Sequence, residues 1–146
     1  MAFREKMLEY AEEQYPVYRE IALQIHAKPE TSNHEYFACG VLSEQLKKEG
    51  FEVKVDVAGH PTGFTGVYKS AKPGPVLVFL AEYDALTGLG HGCGHNLFGA
   101  TSLLAAAVVE VYMFLSLKVD MAVLFVKAGI GERRHLCFNI SHRLQS

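Results

Sequence analysis

Residues Val76–Asn96 read VLVFLAEYDALTGLGHGCGHN, and the fold turns on how this stretch is read. Val76–Ala81 is uniformly apolar, the pattern of a central strand covered on both faces. Glu82–Asn96 then opens into a loop with glycines at 88, 90, 92 and 94, and a long apolar helix starts near His95. A strand feeding a glycine-rich loop and then a helix is the repeating unit of α/β domains, whose sites lie at the carboxyl ends of strands.

The flanks agree. Upstream, Phe3, Met7, Tyr10, Ala11, Val17, Ile21 and Ile25 recur at helical spacing, which predicts a helix from Ala2 to about Ala27. Pro16 should kink or restart it, because proline lacks the amide hydrogen and clashes with the preceding turn. His26 to Pro29 should close it. A second helix is expected after Thr31-Ser32-Asn33, which offers an N-cap, with Phe37, Val41, Leu42 and Leu46 as its apolar stripe and Gly50 as its stop. Phe51, Val53, Val55 and Val57 alternate with Glu52, Lys54 and Asp56, a strand with one face buried. Gly63–Lys69 is its expected partner after a turn at His60-Pro61, and residues 72–75 (Lys-Pro-Gly-Pro) form a further turn. The order is helix, helix, strand, strand, strand, loop, helix, strand, which indicates an α/β sandwich.

Composition narrows the function classes. The chain has 146 residues, 49% apolar and 21% charged, which suits one globular domain and argues against disorder. The net charge of −2 gives no electrostatic case for nucleic acid or an anionic membrane. That charge is unevenly spread. Residues 1–117 carry nine basic and fourteen acidic side chains, whereas residues 118–146 carry five basic and two acidic ones, so the last segment reads as a different kind of sequence. Three cysteines form no disulfide framework and point to a reducing, cytoplasmic compartment. Leu97–Leu117 holds only one charge, Glu110, and is long enough to span a bilayer, but Gly99, Thr101 and Ser102 dilute it and a buried helix reads the same way.

His91, Cys93 and His95 sit among the loop glycines. Thiolate and imidazole suit a borderline-soft ion such as zinc, and Cys93 and His95, two apart, share one side of an extended chain. Other readings stay open on the residues alone. The loop lacks the Lys-Ser/Thr ending of a phosphate-binding P-loop. Cys93 could be a buried structural thiol and His91 simply exposed, and two donors do not complete a tetrahedral site.

The loop AEYDALTGLGHGCGHN resembles the signature of the zinc metallopeptidase and amidohydrolase family that includes aminoacylase, carboxypeptidase G and p-aminobenzoyl-glutamate hydrolase, in particular its dipeptidase and amidohydrolase branch. His26-x-x-Pro29-Glu30 and Gly50-Phe51-Glu52-Val53 match the entry pattern of that family, and the resemblance covers roughly residues 1–110. It implies a three-layer α/β sandwich, the N-terminal portion of a di-zinc peptidase catalytic domain. It also implies that Cys93 and His95 are metal ligands and that Asp84 orients a ligand from behind. The implied cofactor is a divalent metal, zinc with manganese or cobalt as alternatives. The implied substrate is a small peptide or N-acyl amino acid. No membrane partner is expected from the residues, and self-association into a homo-oligomer stays open because a cut-short domain uncovers apolar strand surface. Thr87 and Gly92 replace the usual proline and alanine.

The larger departure lies downstream. Members of the family carry a Glu-Glu pair after this loop, a general base followed by a ligand, and no Glu-Glu pair follows Cys93 here. Residues 1–117 are therefore expected to be a partial catalytic domain and residues 118–146 a divergent basic segment left by truncation or frameshift. Glu132, His135, Cys137 and His142 are the donors that segment offers, against the plainer reading of a solvated basic tail. An inactive fragment or a small metal-binding module is the rival expectation.

Overall fold

The computed structural model describes residues 3–69, 76–116 and 120–125, with backbone alone for Phe3 and for residues 112–116 and 120–125. The element order is α1 (Phe3–Ala27), α2 (Tyr36–Lys48), β1 (Glu52–Val57), β2 (His60–Tyr68), β3 (Val76–Leu80), α3 (His95–Ser116) and β4 (Asp120–Phe125). This is the expected α/β order. The four strands form one sheet in the order β1-β2-β4-β3. β4 lies beyond residue 117 yet sits inside the sheet, antiparallel to β2 and parallel to β3.

The sheet begins as a hairpin. β1 and β2 pair antiparallel from Glu52↔Val67 to Val57↔His60, with a bulge between Val55 and Val57. Ala58 and Gly59 both have left-handed φ, 54° and 79°, as the two central residues of a tight hairpin turn require. The turn is thus at Ala58-Gly59 and not at His60-Pro61, and Pro61 lies within β2. On β2, Thr62, Phe64 and Gly66 are buried under α2. Gly66 has a steric reason to lack a side chain, since a Cβ there would run into Leu46. Ile25, Leu42, Leu46, Phe64, Tyr83 and Leu103 are fully buried in the core between helices and sheet. Each such side chain contributes roughly 1.5–3 kcal/mol by leaving water.

Further expectations change. α1 runs as one continuous helix through Pro16, so of the two outcomes expected there the restart does not occur. β1 is mostly exposed, with Val55 41% accessible, so its alternation marks an edge strand more than a buried face. β3 is also an edge strand, and not central, because β4 inserts between it and β2. Phe79 packs on the core, but Val76, Val78 and Leu80 are 46–47% exposed, so the opposite face of β3 is not covered by any described residue. The apolar stretch Leu97–Leu117 belongs largely to α3, and among the described residues no helix is long and apolar enough to cross a membrane. The turn expected at residues 72–75 lies outside the described residues.

The start of α2 also differs from expectation. Thr31, Ser32 and Asn33 do not cap it. The helix begins at Tyr36, and Glu35 at its N-cap makes no capping bond. The Glu30 carboxylate does this work from outside the helix, accepting from the Phe37 and Ala38 amides at 2.9 Å each. Two amide hydrogens that the helix cannot satisfy are thereby paired by one anion at the positive end of the dipole. Glu30→Ala should therefore destabilise the chain by about 1–2 kcal/mol, read as a lower urea midpoint at unchanged slope. Glu30→Asp, too short to reach both amides, should recover only part of the loss.

Candidate metal centre

After β3 the chain stays extended, and alternate residues face opposite ways. Ala81, Tyr83 and Ala85 are buried, whereas Glu82 and Asp84 turn to the other side. Tyr83 anchors this alternation. Its hydroxyl donates to the Thr62 carbonyl, and its ring stacks on Phe64 with centroids 5.8 Å apart. Burial pushes the Tyr83 hydroxyl far above its ordinary range, with Cys39 and Glu35 adding to the effect, so it stays a neutral donor. The loop is tied from below by Ala85, whose amide donates to the Glu30 carbonyl at 2.7 Å. It folds back on itself where Leu86 and Gly90 pair, and the left-handed φ of Gly90 (60°) makes that reversal. Gly94, φ 77°, makes the second sharp turn and delivers His95 to the first position of α3.

Both carboxylates converge on His95. Asp84 Oδ1 lies 2.8 Å from His95 Nδ1 and Glu82 Oε2 lies 3.0 Å from His95 Nε2. The three side chains are only 13–23% exposed. Each offers a donor atom, and these atoms lie within 4.8 Å of one another. A neutral imidazole carries one N–H and can satisfy one carboxylate, so the second contact needs a further proton or a cation. Holding Nδ1 on Asp84 leaves Nε2 as the lone-pair donor, the usual arrangement behind a metal-bound histidine. The donor set therefore fits a divalent ion.

Of the residues singled out in the sequence, Asp84 and His95 meet directly. Cys93 is next to them but not among the converging donors. It is exposed, which removes the reading of a buried structural thiol, and its thiol donates to the Asp84 carbonyl oxygen at 3.9 Å. His91, for which plain exposure was one of the open readings, is buried at 8% accessibility. Burial and the nearby His26 hold its ring below the ordinary imidazole range. Glu82 was not among the residues singled out. Its signal was the period-two spacing of two carboxylates in Glu82-Tyr83-Asp84 at a strand end. Glu132, His135, Cys137 and His142 lie outside the described residues.

No family model matches the chain. It is 35% identical over 113 residues to one component of the p-aminobenzoyl-glutamate hydrolase of Escherichia coli, a match covering 66% of this chain and 23% of that protein. It is 38% identical over 97 residues to the human Xaa-Arg dipeptidase, covering 59% of this chain and 22% of that one. The chain thus spans less than a quarter of the length of these curated relatives. Among solved structures, a methicillin-resistant Staphylococcus aureus protein assigned to the aminohydrolases aligns with a TM-score of 0.75 at 27% identity, over 88% of this chain and 36% of its own. A dinuclear metal-binding peptidase of the M20 family from Bacillus subtilis aligns with a TM-score of 0.69 at 24% identity, over 80% and 36%, which speaks for the fold. The relatives are hydrolases of the kind that the loop resemblance named, and the fold is that of the N-terminal part of a peptidase domain.

The two described cysteines differ in setting, and thiol labelling should separate them. In a Cys137→Ser background, Cys93 should react with a disulfide reagent in the native state and Cys39 only on unfolding. Burial, partly opposed by the nearby Tyr83 hydroxyl, pushes the Cys39 thiol up to about 11. Its folded value lies above its unfolded one, so its contribution to stability is whole below about pH 9 and is lost as pH rises toward about 11. A Cys39→Ala variant should show a flatter decline in thermal midpoint across that window.

Proposed function

We propose that this chain, similar to the N-terminal part of a peptidase domain, provides the first ligands of a divalent-metal site for hydrolysis of peptide or N-acyl-amino-acid amide bonds. The observation that carries this is His95 held by Asp84 on Nδ1, 2.8 Å, with Glu82 on the Nε2 side, 3.0 Å. In this reading Cys93 and His95 are ligands, Asp84 orients His95, and Glu82 is a further oxygen donor at the same ion. Thiolate with imidazole favours zinc, and the carboxylates make manganese or cobalt compatible. The ion, when bound, supplies Lewis acidity toward the amide carbonyl and toward water.

The chain's own residues hold and aim the site. Asp84 fixes the tautomer of His95, Gly94 sets its direction, and Tyr83 keeps both carboxylates turned toward it. The proton-relaying glutamate of the resembled family has no match, since no Glu-Glu pair follows Cys93. The same reading takes residues 1–117 as a partial catalytic domain and 118–146 as a divergent segment, with little or no turnover by this chain alone. That missing pair also favours the second reading, a metal-binding or interaction module without catalysis. A reducing, cytoplasmic setting suits three unframed cysteines, and the exposed face of β3 offers copies of the chain a surface for self-association.

Metal content of the purified chain, measured beside hydrolysis of a small peptide and an N-acyl amino acid with added zinc, cobalt or manganese, tests these claims together. Bound divalent metal is expected, with Asp84→Asn weakening it about 10–100-fold. A chain that takes up none of the three ions sinks the metal reading. Turnover that disappears in Cys93→Ala would show that the site is sufficient and the incomplete-site reading wrong.

A further inference from the structure

His26 and His91 take no part in the cluster of Glu82, Asp84 and His95. His91 is only 8% accessible, and among the described residues neither of its ring nitrogens has a hydrogen-bond partner. Buried polar atoms are nearly always satisfied, so a buried ring without one well-formed bond calls for a physical account. The neighbouring ring is that of His26 in the last turn of α1, with centroids 6.1 Å apart and planes inclined by 30°. The Ile25 carbonyl faces the same imidazole as a hydrogen-bond acceptor for one ring nitrogen, without reaching good geometry, which leaves the other nitrogen free to donate a lone pair.

That spacing is informative. Two imidazoles sharing one zinc-like ion each donate a lone pair at ~2.0–2.1 Å, which places their ring centres roughly 5–6.5 Å apart. A pair in plain aromatic contact could also stand at this distance, but it would leave the His91 nitrogens no better satisfied. We propose that His26 and His91 form a two-imidazole site for a borderline divalent cation of the zinc type, separate from the carboxylate-rich cluster around His95. Imidazole selects against hard ions such as calcium and magnesium, and a buried imidazole with one nitrogen toward a backbone carbonyl has the other ready to donate. The ion would link the end of α1 to the loop carrying Cys93, two segments that the described structure joins here by packing. The inference does not depend on the activity proposed above.

The test is a zinc chloride titration of the whole chain with nitrogen-15 histidine, following each imidazole by NMR, with resonances assigned through single histidine variants. The His26 and His91 signals should move together and saturate together, independently of His95. His26→Ala, at an exposed position, should weaken the His91 response about tenfold or more, because one of two pre-placed donors is gone, and should leave the His95 response intact. His91→Phe should abolish the His26 response while circular dichroism reports the fold. The proposal is overturned if the His91 signals stay still while His95 responds, or if His26→Ala leaves the zinc affinity read at His91 unchanged. Movement of His95 alone would leave the first metal site standing and remove the second.

Discussion

Burial of Tyr83 is the constraint on which the rest of the site depends. Its ring lies against Phe64, and Gly99 of α3 comes so close that an added Cβ would meet Tyr83 at 3.3 Å. Its hydroxyl holds the Thr62 carbonyl, and Thr62 in turn donates to the buried Glu35 carboxylate at 2.8 Å. An extended chain cannot bury Tyr83 without turning Glu82 and Asp84 away together, because alternate side chains face opposite sides. Packing in the core therefore sets where two carboxylates point in the site.

The imidazole that meets them is placed with equal care. Asn96, one residue into α3, donates to the Ala22 carbonyl of α1 at 3.1 Å in a buried setting, and Ser102 donates to the Leu80 carbonyl at the end of β3. These bonds secure the first turns of α3 against both α1 and the sheet, and His95 travels with them. A ligand side chain held by such a scaffold loses little freedom on binding an ion, which is how rigid elements favour a metal site. Cys93 has weaker support. It sits in the glycine loop, exposed, and one long thiol contact to the Asp84 carbonyl oxygen, 3.9 Å, is what ties it to the cluster.

Much of this was legible in the chain. The helical spacing in residues 3–27, the alternation in residues 51–57 and the strand–loop–helix run from Val76 to Asn96 led to the observed element order. Legibility failed where a long-range contact outweighed a local signal. Thr31-Ser32-Asn33 is a strong local cap, yet Glu30 takes that role because the strand-like link from Thr31 to Ala85 leaves its carboxylate facing the helix end. Pro16 is a strong local breaker, yet α1 continues through it, packed along α3. Uniform apolarity in Val76–Leu80 resembled a strand covered on both faces, but periodicity reports what a strand can bury and not what lies beside it.

Residue chemistry and its local order are properties that can be read along the chain. That order places thiol, imidazole and carboxylate around a glycine loop between a strand and a helix, and side-chain period and turn residues are local properties that a linear reading can follow. Only the tertiary structure decided which of those groups meet. Glu82 joined the cluster, Cys93 stayed beside it, and His91 was buried against His26. Those outcomes depend on contacts between residues far apart in the chain, and such contacts are set by packing, which no local pattern records.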